Sequence, residues 1–189
     1  MRRVVMHCVL IALSCSVSFA QAPEPSGIWT GPVNSPVPAT LAGGKVIDAT
    51  ALAKLLDVDK AIVIDVSNQP RRPEGMAPDA PWLPLPHEAI PGSVWIPDVG
   101  NGAIAAGVEA FFRTQLKALT DGDTERMLVF YCHERCWLSW NAARRAIDYG
   151  YRSVAWFPEG IEGWRAAGFP TQTVKARTPA PDNPPASRR

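Results

Sequence analysis

The chain has 189 residues and is nearly balanced in charge, with 19 Lys+Arg against 18 Asp+Glu and no long basic stripe. That length suits one domain with extensions, and that charge pattern excludes the usual kind of nucleic-acid-binding surface. The 19 prolines crowd the two ends and residues 70–91, which marks those stretches as irregular chain.

Residues 1–20 read as a signal peptide. Arg2 and Arg3 form a positive start, residues 4–17 are mostly apolar, and Ser18 and Ala20 put small residues at the cleavage-determining positions. The apolar run is too short for a stable membrane span, so the expected location is the periplasm, with lipidation at Cys15 as the lesser alternative. Cys8 and Cys15 leave with this segment, and the mature chain keeps Cys132 and Cys136 in an oxidising compartment.

Residues 21–42 hold Pro23, Pro25, Pro32, Pro36 and Pro38 and read as a linker from which Ile28 and Trp29 can dock on the domain expected over residues 43–173. Asp48 or Thr50 caps a short helix at 51–56. Residues 61–66, AIVIDV, are β-branched and apolar on both faces, which predicts a buried strand with Asp65 at its end as a structural hydrogen-bonder. Proline recurs through residues 70–91, beside Arg71, Arg72 and Trp82, and predicts an insert with no regular element, placed as a lid or docking surface near the site. Then come a strand at 93–96 and an amphipathic helix at 107–119 that turns Val108, Phe111, Phe112, Leu116 and Leu119 inward. A strand at 127–131, a helix at 139–149 stopped by Gly150, a strand at 153–157 and a helix at 161–167 follow. The tail, residues 174–189, is expected to be disordered. This alternation of strands and helices predicts an α/β domain with a mainly parallel sheet flanked by helices.

Cys132 and Cys136 lie in YCHERCWLSW, residues 131–140, between a strand end and a helix start. Unpaired N–H groups at a helix N-terminus favour negative charge, so a thiol there ionises more readily and becomes a better nucleophile. The expectation is a lowered pKa at Cys132, the nucleophile, with Cys136 resolving it by thiol–disulfide or persulfide chemistry. The competing reading is a static disulfide. Metal ligation is disfavoured because only His87 and His133 remain after the signal, and His133 adjoins Cys132. CHERC is not the C-x-x-C-H of covalent haem attachment, and no other cofactor motif is present, so no cofactor is expected. His133, Glu134, Arg135 and Trp137 line the loop: Arg135 offers a cation for an anionic substrate, Glu134 opposes one, and Trp137 either shields the sulfur or packs in the core.

The IVIDV strand, AIPGSVWIP (residues 89–97), LVFYC followed by Ala142 and Ala143, and VAWFPEGIEGWRAAGFP (residues 154–170) together resemble the rhodanese-like family. The resemblance implies a three-layer fold and a persulfide carried on Cys132 within a loop of N–H groups. A narrower resemblance rests on Cys132, Cys136, Trp137 and SWNAA (residues 139–143), with RRPEG (residues 71–75) upstream. It is to periplasmic rhodanese-like proteins with a CXXCW motif that accompany pyrroloquinoline-quinone-dependent alcohol catabolism. It implies a small sulfur or thiol substrate and a periplasmic redox or quinone-dependent dehydrogenase partner. Three residues separate the cysteines here, the Gly and Arg that usually follow the nucleophile in the family's loop are replaced, and Glu134 adds a negative charge, so weak thiosulfate turnover is expected. The alternative reading is a non-catalytic accessory module that binds such a dehydrogenase.

Overall fold

Strands that are apolar on both faces need a layer on each side, and the computed structural model supplies both. It describes residues 22–179 apart from 59 and 78, so the signal segment expected at 1–20 and the end of the tail lie outside the described residues. The strands are β1 (Lys45–Val46), β2 (Ala61–Asp65), β3 (His87–Ala89), β4 (Val94–Trp95), β5 (Met127–Tyr131), β6 (Val154–Trp156) and β7 (Gln172–Val174). The helices are α1 (Ala49–Asp57), α2 (Ala106–Thr120), α3 (Trp137–Asp148) and α4 (Gly160–Ala166). Five strands form a fully parallel sheet in the order β1-β6-β5-β2-β4.

Side chains alternate across this sheet, as its pleat requires. Ile64, Leu128, Phe130, Val154 and Trp156 meet Phe112 and Leu116 of α2 and Trp140 and Ala143 of α3 on one face. Val63, Val129, Tyr131 and Ala155 meet Leu52 of α1 and Ile161 and Trp164 of α4 on the other. The result is the expected α/β sandwich of three layers. The Asp48 carboxylate accepts from the Ala51 amide at 2.7 Å and caps α1, which begins at Ala49, two residues before the expected 51.

Two expectations need correction. The insert at 70–91 is not irregular throughout, because β3 lies within it and pairs antiparallel with β7. Proline removes the ladder donor only at its own position, and residues 87–89 contain none. Nor does the ordered chain stop at 173. Ala176 bridges to Trp95, and the Arg177 amide donates to the Trp95 carbonyl at 2.8 Å, so the start of the tail lies along the β4 edge.

Candidate active site

The central strand β5 delivers Cys132 to the carboxyl edge of the sheet, and Cys136 is the N-cap residue of α3. The loop between them is fixed from below by α4. The Ile161 amide donates to the Cys132 carbonyl at 2.9 Å, and Gly160, at φ +60, lies so close that a β-carbon there would strike the backbone of Cys132 and His133. Glu162 holds the loop from the side, accepting from the Glu134 amide and pairing with His133 Nδ1, both at 2.8 Å. Burial works against the Glu162 charge, but these hydrogen bonds outweigh it and hold its carboxyl below the ordinary value.

From above, the loop is covered by residues 29–40. Asn34 forms an antiparallel bridge with Cys136, and the Val33 carbonyl accepts from the Trp137 amide at 3.0 Å. That bond satisfies one of the orphan donors in the first turn of α3, which is why the helix begins two residues earlier than expected. Trp29 stacks on Trp137 with centroids 4.4 Å apart. Asn141 binds the Trp29 backbone twice, accepting from its amide at 2.8 Å and donating to its carbonyl at 2.9 Å. The indoles of Trp137 and Trp140 donate to Ser35 Oγ and the Thr40 carbonyl. The segment read as a linker is therefore a strap, and its Trp29 docks as anticipated. The insert at 70–91 is secured elsewhere: Arg71 pairs with Asp98, Trp82 is half-buried, and Trp82, Leu85, His87, Trp95 and Lys175 line a groove along the β4 side.

Under the strap, Cys132 is 0% and Cys136 3% exposed, and both are free thiols. Cys132 Sγ lies 3.2 Å from Ser139 Oγ and 3.5 Å from the Cys136 carbonyl. Burial, reinforced by the neighbouring Cys136, pushes the Cys132 thiol well above its usual pKa. Cys136 is lowered to about 7 by the hydrogen bond from Cys132, against burial, with further help from the Leu138 and His133 amides and the His133 ring. The inward turn of Cys132 onto Ser139 thus opposes a charge on its sulfur, while the head of α3 favours one at Cys136. The lowered pKa expected at Cys132 falls instead on its partner.

Of the other expected site residues, His133, Glu134 and Arg135 are exposed on the loop, with Arg135 at φ 55, and Trp137 is wholly buried beneath Trp29. Sequence reasoning assigned no role to Ser139, Asn141, Trp156 or Glu162. Ser139 and Asn141 could have been noticed as polar residues on the core-facing side of an apolar helix, where each needs a partner.

A rhodanese-like domain model matches residues 48–167, most of the chain. The chain belongs to the rhodanese-like family. No curated protein matches it. Among solved structures it is similar to a thiosulfate sulfurtransferase from Pseudomonas aeruginosa, at 19% identity and TM-score 0.47 over 72% of this chain and 21% of that one. It is also similar to a human single-domain sulfurtransferase, at 21% identity and TM-score 0.42 over 65% of this chain and 96% of the other. The chain thus spans about a fifth of the length of the Pseudomonas protein. The rhodanese-like match begins after the strap and ends before β7, so the cover over the cysteines comes from outside the matched unit.

Proposed function

We propose that this rhodanese-like protein performs cysteine-based sulfur transfer, with Cys136 as the attacking thiolate and Cys132 as the resolving thiol. The observation that carries this is the placing of the two sulfurs: Cys136 is the N-cap residue of α3, whereas Cys132 Sγ is wholly buried against Ser139 Oγ and the Cys136 carbonyl. Cys136 Sγ attacks the sulfane sulfur of a donor, the bond to the donor's leaving group breaks, and that group departs with the electron pair. The sulfur then sits on Cys136 as a persulfide. A thiolate acceptor takes it directly, or Cys132 attacks Cys136 Sγ and closes a disulfide. In the second route the sulfur leaves as hydrosulfide and takes up the Cys132 proton, and a dithiol reductant reopens the bond.

Export to the periplasm and service to quinone-dependent alcohol oxidation belong to the same proposal. They rest on residues 1–20 and on the Cys132, Cys136, Trp137 and SWNAA resemblance. The acceptor is then a small thiol or a periplasmic dehydrogenase partner. Thiosulfate is a poor donor here, because Glu134 and Glu162 stand at the loop.

The test is the rate of alkylation of each cysteine in the reduced protein against pH, resolved by mass spectrometry. The thiolate is the reactive form, so the Cys136 rate should rise through a midpoint near 7, while Cys132 stays unreactive to well above the free-thiol value of about 8.5. A lower midpoint at Cys132 restores it as the nucleophile. An accessory module that only binds would show neither a persulfide after exposure to a sulfane donor nor cycling of the pair under glutathione.

A further inference from the structure

Ser139 is wholly buried, and its hydroxyl meets three groups. The Trp156 indole N–H, which can only donate, reaches Ser139 Oγ at 3.0 Å. Cys132 Sγ stands at 3.2 Å, and the Cys136 carbonyl, which can only accept, at 3.3 Å. A hydroxyl has one proton to give. If Ser139 gives it to the Cys136 carbonyl, both its lone pairs are filled by Trp156 and by the Cys132 S–H, and Cys132 must be protonated. If the hydroxyl turns by one rotamer step and gives its proton to Cys132 Sγ, Cys132 is accommodated as a thiolate. In a site without solvent, the Ser139 amide is the other donor to that sulfur, and a buried charge left with a single partner is costly.

We propose that Ser139 is the two-position hydroxyl that decides which of the two sulfurs holds the charge, and that it stabilises Cys132 as a thiolate when Cys132 attacks Cys136. Trp156 holds the oxygen in place in both positions. The inference deepens the sulfur-transfer reading and rests on it. In the resolving step the Cys132 S–H bond breaks, the Cys132–Cys136 bond forms, and the sulfur bound to Cys136 leaves with its electron pair and takes the proton. Ser139 swings from the Cys136 carbonyl to Cys132 Sγ as that proton departs. The ionisable groups around the pair are the two cysteines themselves and His133, which is tied to Glu162 on α4.

Ser139→Thr and Ser139→Val test this, because the two differ only in a hydroxyl against a methyl at the same volume. In the reduced full chain, mass-resolved alkylation is followed from pH 7 to 10, and the disulfide equilibrium against glutathione is measured beside it. Ser139→Thr should keep the wild-type Cys132 profile. Ser139→Val should slow Cys132 at least tenfold at the alkaline end of the range, where its thiolate forms, leave the Cys136 midpoint in place, and slow closure of the Cys132–Cys136 disulfide to the same degree. Equal effects of Thr and Val, or equal slowing of both cysteines by Val, would show a packing role and overturn the proposal. Failure of the underlying reading looks different: the wild-type profile itself would then assign the lower midpoint to Cys132. Trp156→Phe removes the indole donor together with one of its two rings and should slow Cys132 severalfold; no change there would also count against the two-position hydroxyl.

Discussion

Residues 22–42 and residues 70–91 are both proline-rich with one tryptophan apiece, yet the first is bound across the cysteine loop and the second is fastened on the β4 side, with two leucines left in water. Trp29 stacks on Trp137 and has its backbone amide and carbonyl paired by Asn141, whereas Leu83 and Leu85 of the insert are 93% and 87% exposed. Proline lowers the entropy either segment loses on ordering, but it supplies no donor and little contact. What separates the two is the receiving surface. α3 presents a buried amide side chain and two indole N–H groups, all aimed at backbone or hydroxyl oxygens of residues 29–40.

The comparison breaks most readily at Asn141. Asn141→Ala removes both bonds to Trp29 and the one to the Gly100 carbonyl. At about 1 kcal/mol for each of the two strap bonds, undocking becomes easier by about 2 kcal/mol, and alkylation of Cys136 should accelerate about 30-fold where strap opening limits it. Limited proteolysis should then cut within residues 22–42 while the core stays protected. An unchanged rate would show that the sulfurs are reached by another path.

A smaller effect is expected at Trp29. Trp29→Ala forfeits the stacking on Trp137, worth about 1 kcal/mol beyond the area it covers, but leaves both backbone bonds to Asn141 available. Alkylation of Cys136 should rise about tenfold or less, and fluorescence of Trp137 should shift to the red as water reaches its ring. A rise larger than that of Asn141→Ala would make aromatic packing, rather than the paired backbone, the main fastening of the strap.

The parallel sheet was readable because its strands are apolar on both faces, a pattern that permits little else, and Asp48, Gly150 and Gly168 marked helix ends by local chemistry. The cysteine loop was readable as a place but not as a distribution of charge. Cys132 follows a strand and Cys136 precedes a helix, and that spacing alone favours neither. The structure adds what spacing lacks: Cys132 Sγ turns inward onto Ser139, and Cys136 stands at the head of α3. The strap was hidden for a related reason. Its contacts are to residues about a hundred positions away, and the helix donor it satisfies, the Trp137 amide, has no local signature. The β3–β7 pair is hidden by the proline density of the insert as a whole, although Glu88, which takes hydroxyl bonds from Thr171 and Thr173, sits in a proline-free gap.

The smallest effect at the cysteines is expected from the insert, although composition made it the natural lid. It departs from the end of β2 and returns at β3 to pair with β7, and its tryptophan lines a groove with His87, Trp95 and Lys175. His87 is itself anchored, pairing with the buried Asp65 at 2.8 Å and stacking on Trp95 with centroids 3.8 Å apart. Trp82 thus lines a groove beside β3, β4 and the start of the tail. Trp82→Ala should expose residues 70–86 to protease and leave the Cys136 alkylation rate within twofold of wild type. Acceleration comparable to that of Trp29→Ala would mean that the two proline-rich segments close the site together, and the contrast between them would no longer hold.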